Sequence, residues 1–346
     1  MFVRGRRWAP PHQFPGFLLV AALVAGAGFS GCGRDRPPGA IGTNAEISVF
    51  TNDPPDPGVV AALKRVFEYP YVTVGEEDAF RLDLVTHDDF RIHRHVKNQI
   101  FAVDLSRDDR ISRVVPGLLS DEGRRLMTGR NSFRFLVADR FASGQTTLFL
   151  IGWSGEDLVR LLTEVGAHRI RREFESAVVE ALTETIFAMG EEERVPSRVA
   201  RDYGWTIRLP EGYHGAVHED GNFVKFNARE PVRLILCHWI EEEVPLAAEA
   251  WSPILDRVLR VYNDGDYADP EDTVVFPEPF QGEPALRWEG VWQNDKYTIG
   301  GPFRAWAFHR GGRSFVLVGQ TFAPGADKSP TLRQVEAAMH TFHLPS

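Results

Sequence analysis

Residues 284–324 read PALRWEGVWQNDKYTIGGPFRAWAFHRGGRSFVLVGQTFAP, and their patterning sets the fold of the second half of the chain. Three runs, 284–293, 302–310 and 314–324, are rich in aromatic and β-branched residues and are separated by segments carrying Gly, Pro or Asn-Asp. Runs of this kind predict antiparallel strands joined as hairpins. Gly300 and Gly301 permit a positive φ or a close backbone approach, and Pro302 fixes the chain as it leaves the turn. Trp288, Trp292, Tyr297, Phe303, Trp306 and Phe308 crowd the same segment. An aromatic core with a rigid hairpin accounts for them. The functional alternative is a stacking surface for a sugar or peptide, with Trp292, Tyr297, Gly300, Gly301, Phe303 and Trp306 as its candidate residues.

Downstream, Leu332, Val335, Met339 and Phe342 fall on one face of a terminal helix over 331–342. Upstream, Trp205, Ile207 and Leu209 alternate in a strand pattern that Pro210-Glu211-Gly212 closes. NFVKFNA (222–228) and VRLILCHWI (232–240) read as further strands. Ser252-Pro253 predicts a helix start, with Ile254, Leu255, Val258, Leu259 and Tyr262 inward. In the first half, strands are predicted at 46–50, 80–86, 98–106, 132–139 and 147–153, and a helix at 59–68. Asp88 is placed to cap a short helix through Val96, and Pro116-Gly117 interrupts any single helix in 112–129. Ser154 with Asp157 predicts an N-cap for two helical faces, Leu158 to Val165 and Ile170 to Ile186, broken at Gly166. GEEERVPS (190–197) makes the best boundary between the halves. The expectation is an α+β protein of two layered sheet-plus-helix domains, 46–190 and 198–346. The second resembles in outline a PsbP/Mog1-type sandwich of a sheet with helices, and that outline implies no activity.

The first 31 residues have the layout of a signal peptide. Arg4, Arg6 and Arg7 precede an apolar run from Phe17 to Phe29, and Ser30 and Gly31 follow. The run is shorter than the roughly 20 residues that cross a membrane comfortably. Small residues directly before Cys32 resemble the bacterial lipobox, with Phe29 in place of the usual leucine. That resemblance implies cleavage before Cys32, acylation of its thiol with palmitate-type chains, and a membrane partner reached through the lipid anchor. Gly33, in place of Asp, implies delivery to the outer membrane facing the periplasm. The competing reading pairs Cys32 with Cys237, but Cys237 lies in the strand pattern 232–240, where cysteine acts as a small hydrophobe. Residues 32–45, rich in Gly and Pro, read as a lipidated tether.

The 346-residue chain has a formal net charge of −9, and loss of the three arginines in 1–31 makes it −12. Such a surface, without a basic stripe, excludes nucleic acid as a partner. His87, Asp88, Asp89, His93 and His95 cluster at 87–97, yet His93 and His95 are two apart and point to different faces of a helix. The spacing lacks the H-E-x-x-H pattern of a zinc helix, and no metal or cofactor is expected. His340 and His343 suit the C-terminal end of the last helix. His238 and His309 read as packed or surface residues, and the Glu runs 191–193 and 241–243 as solvated faces. No G-x-S-x-G elbow or glycine-rich nucleotide loop occurs, and no catalytic residue is assigned.

Over most of the mature chain, the lipobox included, the sequence is also similar to an uncharacterised bacterial lipoprotein family, a domain of unknown function. The motifs that carry the similarity are Gly290-x-Trp292, Gly300-Gly301-Pro302-Phe303, Ala323-Pro324 with Lys328, and Arg333-Gln334-x-Glu336. RHVKNQIFAVDL (94–105) and the Pro210-x-Gly212-Tyr213 opening resemble it as well. The resemblance implies an envelope lipoprotein and brings no activity with it. The expected function is a lipid-anchored, non-enzymatic binding or assembly module with an envelope protein or glycan partner. The rival is an envelope hydrolase or glycan-binding enzyme using scattered His, Asp and Glu.

Overall fold

The structure is a computed structural model describing residues 37–73, 75–127, 130–163, 167–218 and 222–345. The signal segment 1–31, Cys32, the first tether residues 33–36, Val165 and Gly166 lie outside the described residues. Residues 37–346 form one compact unit.

β1 (Glu46–Thr51) buries Ile47 and Val49 on one face and Phe50 on the other. Asp56 then caps α1 (Pro57–Phe67), accepting from the N–H groups of Gly58 and Val59 at 2.8 and 3.0 Å. The helix buries Val59, Ala62, Leu63, Val66 and Phe67 and returns the chain to β2 (Arg81–Val85), parallel to β1. A 3-10 turn (His87–Asp89) and the four-residue α2 (Phe90–His93) replace the longer helix expected through Val96, and no side chain caps either. β3 (Asn98–Asp104) pairs with β1 on its other side, again parallel. Next come α3 (Arg110–Leu118), α4 (Asp121–Met127), β4 (Ser132–Ala138) and β5 (Thr146–Gly152). β5 joins β3 in parallel and β4 antiparallel, giving the order β2-β1-β3-β5-β4. Pro116 lies inside α3, in its last turn, where the lost N–H costs one bond and does not end the helix.

Helices cover both faces of this sheet, so every residue of β3 and β5 is buried. α1, α5 (Gly155–Thr163) and α6 (Ala167–Thr185) pack on one face around Leu63, Phe67, Leu150 and Phe174. The predicted cap of α5 is present, with Ser154 Oγ accepting from the Asp157 N–H at 3.1 Å. On the other face α3 covers a stack in which Phe50 and Phe149 flank Phe101 at 4.7 and 4.9 Å between ring centres. Residues 38–41 of the expected tether run beside this unit. Ala40 and Ile41 donate to the carbonyls of Ser143 and His95 at 2.8 and 2.9 Å.

The second sheet is antiparallel. α7 (Arg194–Tyr203) precedes β6 (His214–His218), β7 (Phe223–Ala228) and β8 (Val232–Ile240). α8 (Ala248–Tyr262), the short β9 (Tyr267–Ala268) and β10 (Val274–Pro277) follow. The opening stretch then forms β11 (Ala285–Asn294), β12 (Ile299–Arg310) and β13 (Arg313–Phe322), and α9 (Ser329–Met339) ends the order. The strand order is β10-β11-β12-β13-β8-β7-β6, with β9 beside β11. Two sequence expectations fail here. Trp205, Ile207 and Leu209 are buried as their alternation implied, but the segment pairs only through isolated bridges such as Thr206 with His343, so no strand forms. α8 starts at Ala248, four residues before the expected Ser252 cap, and Pro253 sits inside it. Buried Trp251 in the added turn packs with Leu255, Val258 and Leu259. The inward place expected for Tyr262 lies outside what is described. α8 covers one face of the sheet, and α9 covers the other.

Candidate functional site

The six residues named as a stacking surface do not share one. β12 alternates between the two faces of its sheet, so Phe303 joins Trp292 in the core under α8 while Trp306 joins the core under α9. Trp292, Phe303 and Trp306 are at most 2% exposed, and Tyr297 at 50% is the one large aromatic of the set in solvent. Gly300 and Gly301 admit close backbone approach. A Cβ on Gly301 would run into the carbonyl oxygen of Thr321 on the neighbouring strand. The aromatics are core because β11 and β12 lie inside a sheet covered on both faces, where both sets of side chains are buried.

What sequence reading passed over is a buried ionic network on the α9 side. Glu336 of α9 pairs with Arg304 of β12 and lies 3.5 Å from Arg287 of β11. Arg287 also pairs with Glu278, and with Glu289 at 2.5 Å. Glu175 of α6 lies 3.8 Å from Arg304 and 3.5 Å from Arg333, and Arg172 pairs with Glu278 at 2.9 Å. Four guanidinium groups thus face four carboxylates. Burial alone would raise the Glu336 carboxyl, but Arg304 and Arg287 outweigh it and hold it down at about 2. Glu175 is likewise lowered, by Arg304 and Arg333 against its burial. Arg333 donates to the carbonyls of Asn44 and Ala79 at 3.1 and 2.8 Å, and its guanidinium lies 4.0 Å from the Phe80 ring centre. Arg333 and Glu336 are motif residues, and their spacing of three on the last helix was the available signal. Their partners here are other side chains and backbone carbonyls of the fold.

The histidine cluster is split. His87 stacks near Phe90, and burial lowers its pKa. His340 stacks on Phe280 at 4.9 Å and lies 4.0 Å from Glu336, with burial again lowering its pKa. His93 reaches a cleft of about 290 Å³ beneath α2, whose walls include Ile41, Ser48, Asp83, Val96 and Lys97. Ser48 Oγ is 3.2 Å from His93 Nδ1, and Asp83 Oδ2 is 3.9 Å from the same nitrogen. A relay from nucleophile through imidazole to carboxylate needs the two partners on opposite ring nitrogens. Crowded on one nitrogen, these three side chains cannot pass a proton that way. Lys97 is half-buried, and burial lowers its pKa.

The carboxyl ends of β1, β3 and β5 form the rim where sheets of this topology commonly take ligands. Here the side chains are consumed by the fold. Asn52 donates to the Asp104 carbonyl, to Asp109 and to Ser112 at 2.9–3.0 Å, and accepts from the Asp104 N–H at 2.8 Å. Asp109 caps α3 through the Ser112 N–H at 3.0 Å and also accepts from the Asp53 N–H at 3.1 Å. The Asp56 and Asp109 carboxylates cap α1 and α3, and the Ser154 hydroxyl, itself donating to Asp157, caps α5, so side chains already take the N–H groups an anion would use. Cys237 is buried and free, its thiol pushed up by burial. No group of metal-ligating side chains is gathered among the described residues.

A family model for a domain of unknown function (DUF4837) matches residues 192–341, from the start of α7 through α9. It supports an uncharacterised family over the second half of the chain. A search of curated proteins returns no match. Among solved structures, cyanobacterial PsbP (CyanoP) from Synechocystis sp. PCC 6803 is similar at 12% identity and TM-score 0.30, with 41% of this chain and 87% of that one covered. LpqN, described as involved in cell envelope biogenesis of Mycobacterium tuberculosis, is similar at 12% identity and TM-score 0.27, over 40% of this chain and 83% of that one. A protein from Bacteroides thetaiotaomicron VPI-5482 is similar at 8% identity and TM-score 0.27, over 41% of this chain and 46% of that one.

Proposed function

We propose that the chain is a lipid-anchored protein of the cell envelope, held through Cys32 at the periplasmic face of the outer membrane, and that its folded body is a binding or assembly module. The observation that carries the anchor is Ser30-Gly31-Cys32-Gly33 directly behind the apolar run 17–29. No helix among the described residues is long and apolar enough to cross a membrane, so in this reading attachment falls to the acyl chains. Support for a binding role comes from how the reactive side chains are employed. The arginines and glutamates of the largest ionic cluster neutralise one another inside the fold, and Ser48, His93 and Asp83 lack a relay geometry.

Metabolic labelling with an alkynyl fatty acid tests the anchor. The wild-type protein takes up label and fractionates with outer membranes, and Cys32→Ala does neither. A wild type as unlabelled as Cys32→Ala overturns the reading.

A further inference from the structure

The cleft beneath α2 carries charges that the fold does not use. Its floor is the face of β1 and β2 bearing Ser48, Asp83 and the Glu46–Arg81 pair, which closes at 2.9 Å and neutralises itself. Lys97, at the entrance to β3, has no ion pair or side-chain hydrogen bond among the described residues. Asp83 on β2 has no nearer partner among them than His93, 3.9 Å away. β1 lies between β2 and β3, so the two unmatched charges stand across about 10 Å of sheet. Ile41 and Val96 add an apolar wall beside them.

We propose that this cleft binds a small zwitterion of amino-acid or dipeptide size, with Lys97 holding its carboxylate and Asp83 its ammonium. A volume of about 290 Å³ is at the small end of ligand pockets and suits a molecule of that size. Opposite unmatched charges on one cavity complement a ligand carrying both signs at its two ends. A phosphate dianion fits poorly, since Asp83 lines the cleft without a matching cation and would repel it, while Arg81 is already paired with Glu46. Ser48 and His93 lie between the two poles and offer a hydroxyl and a ring nitrogen to the ligand's polar backbone. An apolar side chain would lie against Ile41 and Val96. Burial lowers the pKa of Lys97, and a carboxylate beside it would favour the charged form.

This inference rests on the binding-module reading of the body and is independent of the anchor. Full-length protein purified in detergent is titrated by calorimetry with L-leucine and with L-alanyl-L-alanine. At least one gives saturable heat, and acetate or ethylammonium, each carrying half of the charge pair, binds at least about tenfold more weakly. Lys97→Gln and Asp83→Asn, both at solvent-accessible positions, keep the wild-type circular dichroism and lose at least about tenfold in affinity. Absence of saturable heat from both zwitterions, or affinity undiminished in both variants, overturns the proposal. Binding of inorganic phosphate in preference to either zwitterion overturns it as well. Failure here leaves the fatty-acid labelling result untouched, so the two readings fall separately.

Discussion

Glu336 and Arg304 show what a buried charge does for this fold. Each is about 95% removed from solvent, and such a pair persists only because every charge in the network meets its opposite. The Glu336 carboxyl, ordinarily near 4.5, is held at about 2 in the fold. The sign follows directly. The folded state favours the carboxylate, so the contribution is complete above about pH 4.5 and is lost as pH falls towards 2. Its size is on the order of 3 kcal/mol. Glu336→Gln leaves Arg304 and Arg287 in positive excess and is expected to lower urea-unfolding stability at pH 7 by about 3 kcal/mol or more. The gap to wild type should close between pH 4.5 and pH 2, and a gap that persists unchanged to pH 2 would show that the loss is one of packing. These residues were visible as a motif, but nothing in their spacing said that their partners would be Arg287 on β11 and Glu175 on α6. The tryptophans teach the converse. Alternation along β12 told which residues share a face, and burial on both sides of the sheet made both faces core.

At the scale of elements, local chemistry was legible wherever the signal and its target lie within a few residues. The helix after Pro57, the Ser154-Asp157 cap and the three long strands of 284–324 all follow from such signals. Elements whose extent is set from outside depart from their local signals. α8 gains its first turn because Trp251 has a core to enter, although Pro253 interrupts its bonding. The 204–210 segment alternates like a strand, yet the bridges at Thr206 and Pro210 are all the pairing it finds. α3 keeps Pro116 because its N-terminus is fixed by Asp109. Asp109 joins the cap of α3 to Asn52 at the end of β1, so it serves two elements at once. Asp109→Ala is expected to cost about 1–2 kcal/mol, measured by denaturant midpoint, because it removes a cap and strips a partner from buried Asn52. A loss within about 0.3 kcal/mol would mean that solvent replaces both.

For the whole molecule, α9 is the element that makes two sheets one body. Its Leu332 and Ala337 enter the core of the parallel sheet, while Val335, Ala338 and Met339 enter that of the antiparallel one. Its N-terminus accepts the Glu77 carboxylate, to which Lys328 and Ser329 donate backbone N–H groups at 2.7–3.0 Å. A helix that completes both cores cannot leave one without weakening the other. Urea unfolding is therefore expected as one cooperative transition, with tryptophan fluorescence, dominated by the six buried tryptophans of the second half, coinciding with far-UV circular dichroism. Two separated midpoints would show that the halves unfold independently. The sequence by itself determined the α+β class, the strands and helices with strong local periodicity, and the separation of apolar from polar faces. It did so because these are properties of neighbours along the chain. Only the tertiary structure decided that the first sheet is parallel in all but β4, that Arg333 and Glu336 face inward to remote partners, and that Lys97 and Asp83 line one cleft. Each of those depends on residues distant in sequence, brought together by burial and by the pairing of charges that burial demands.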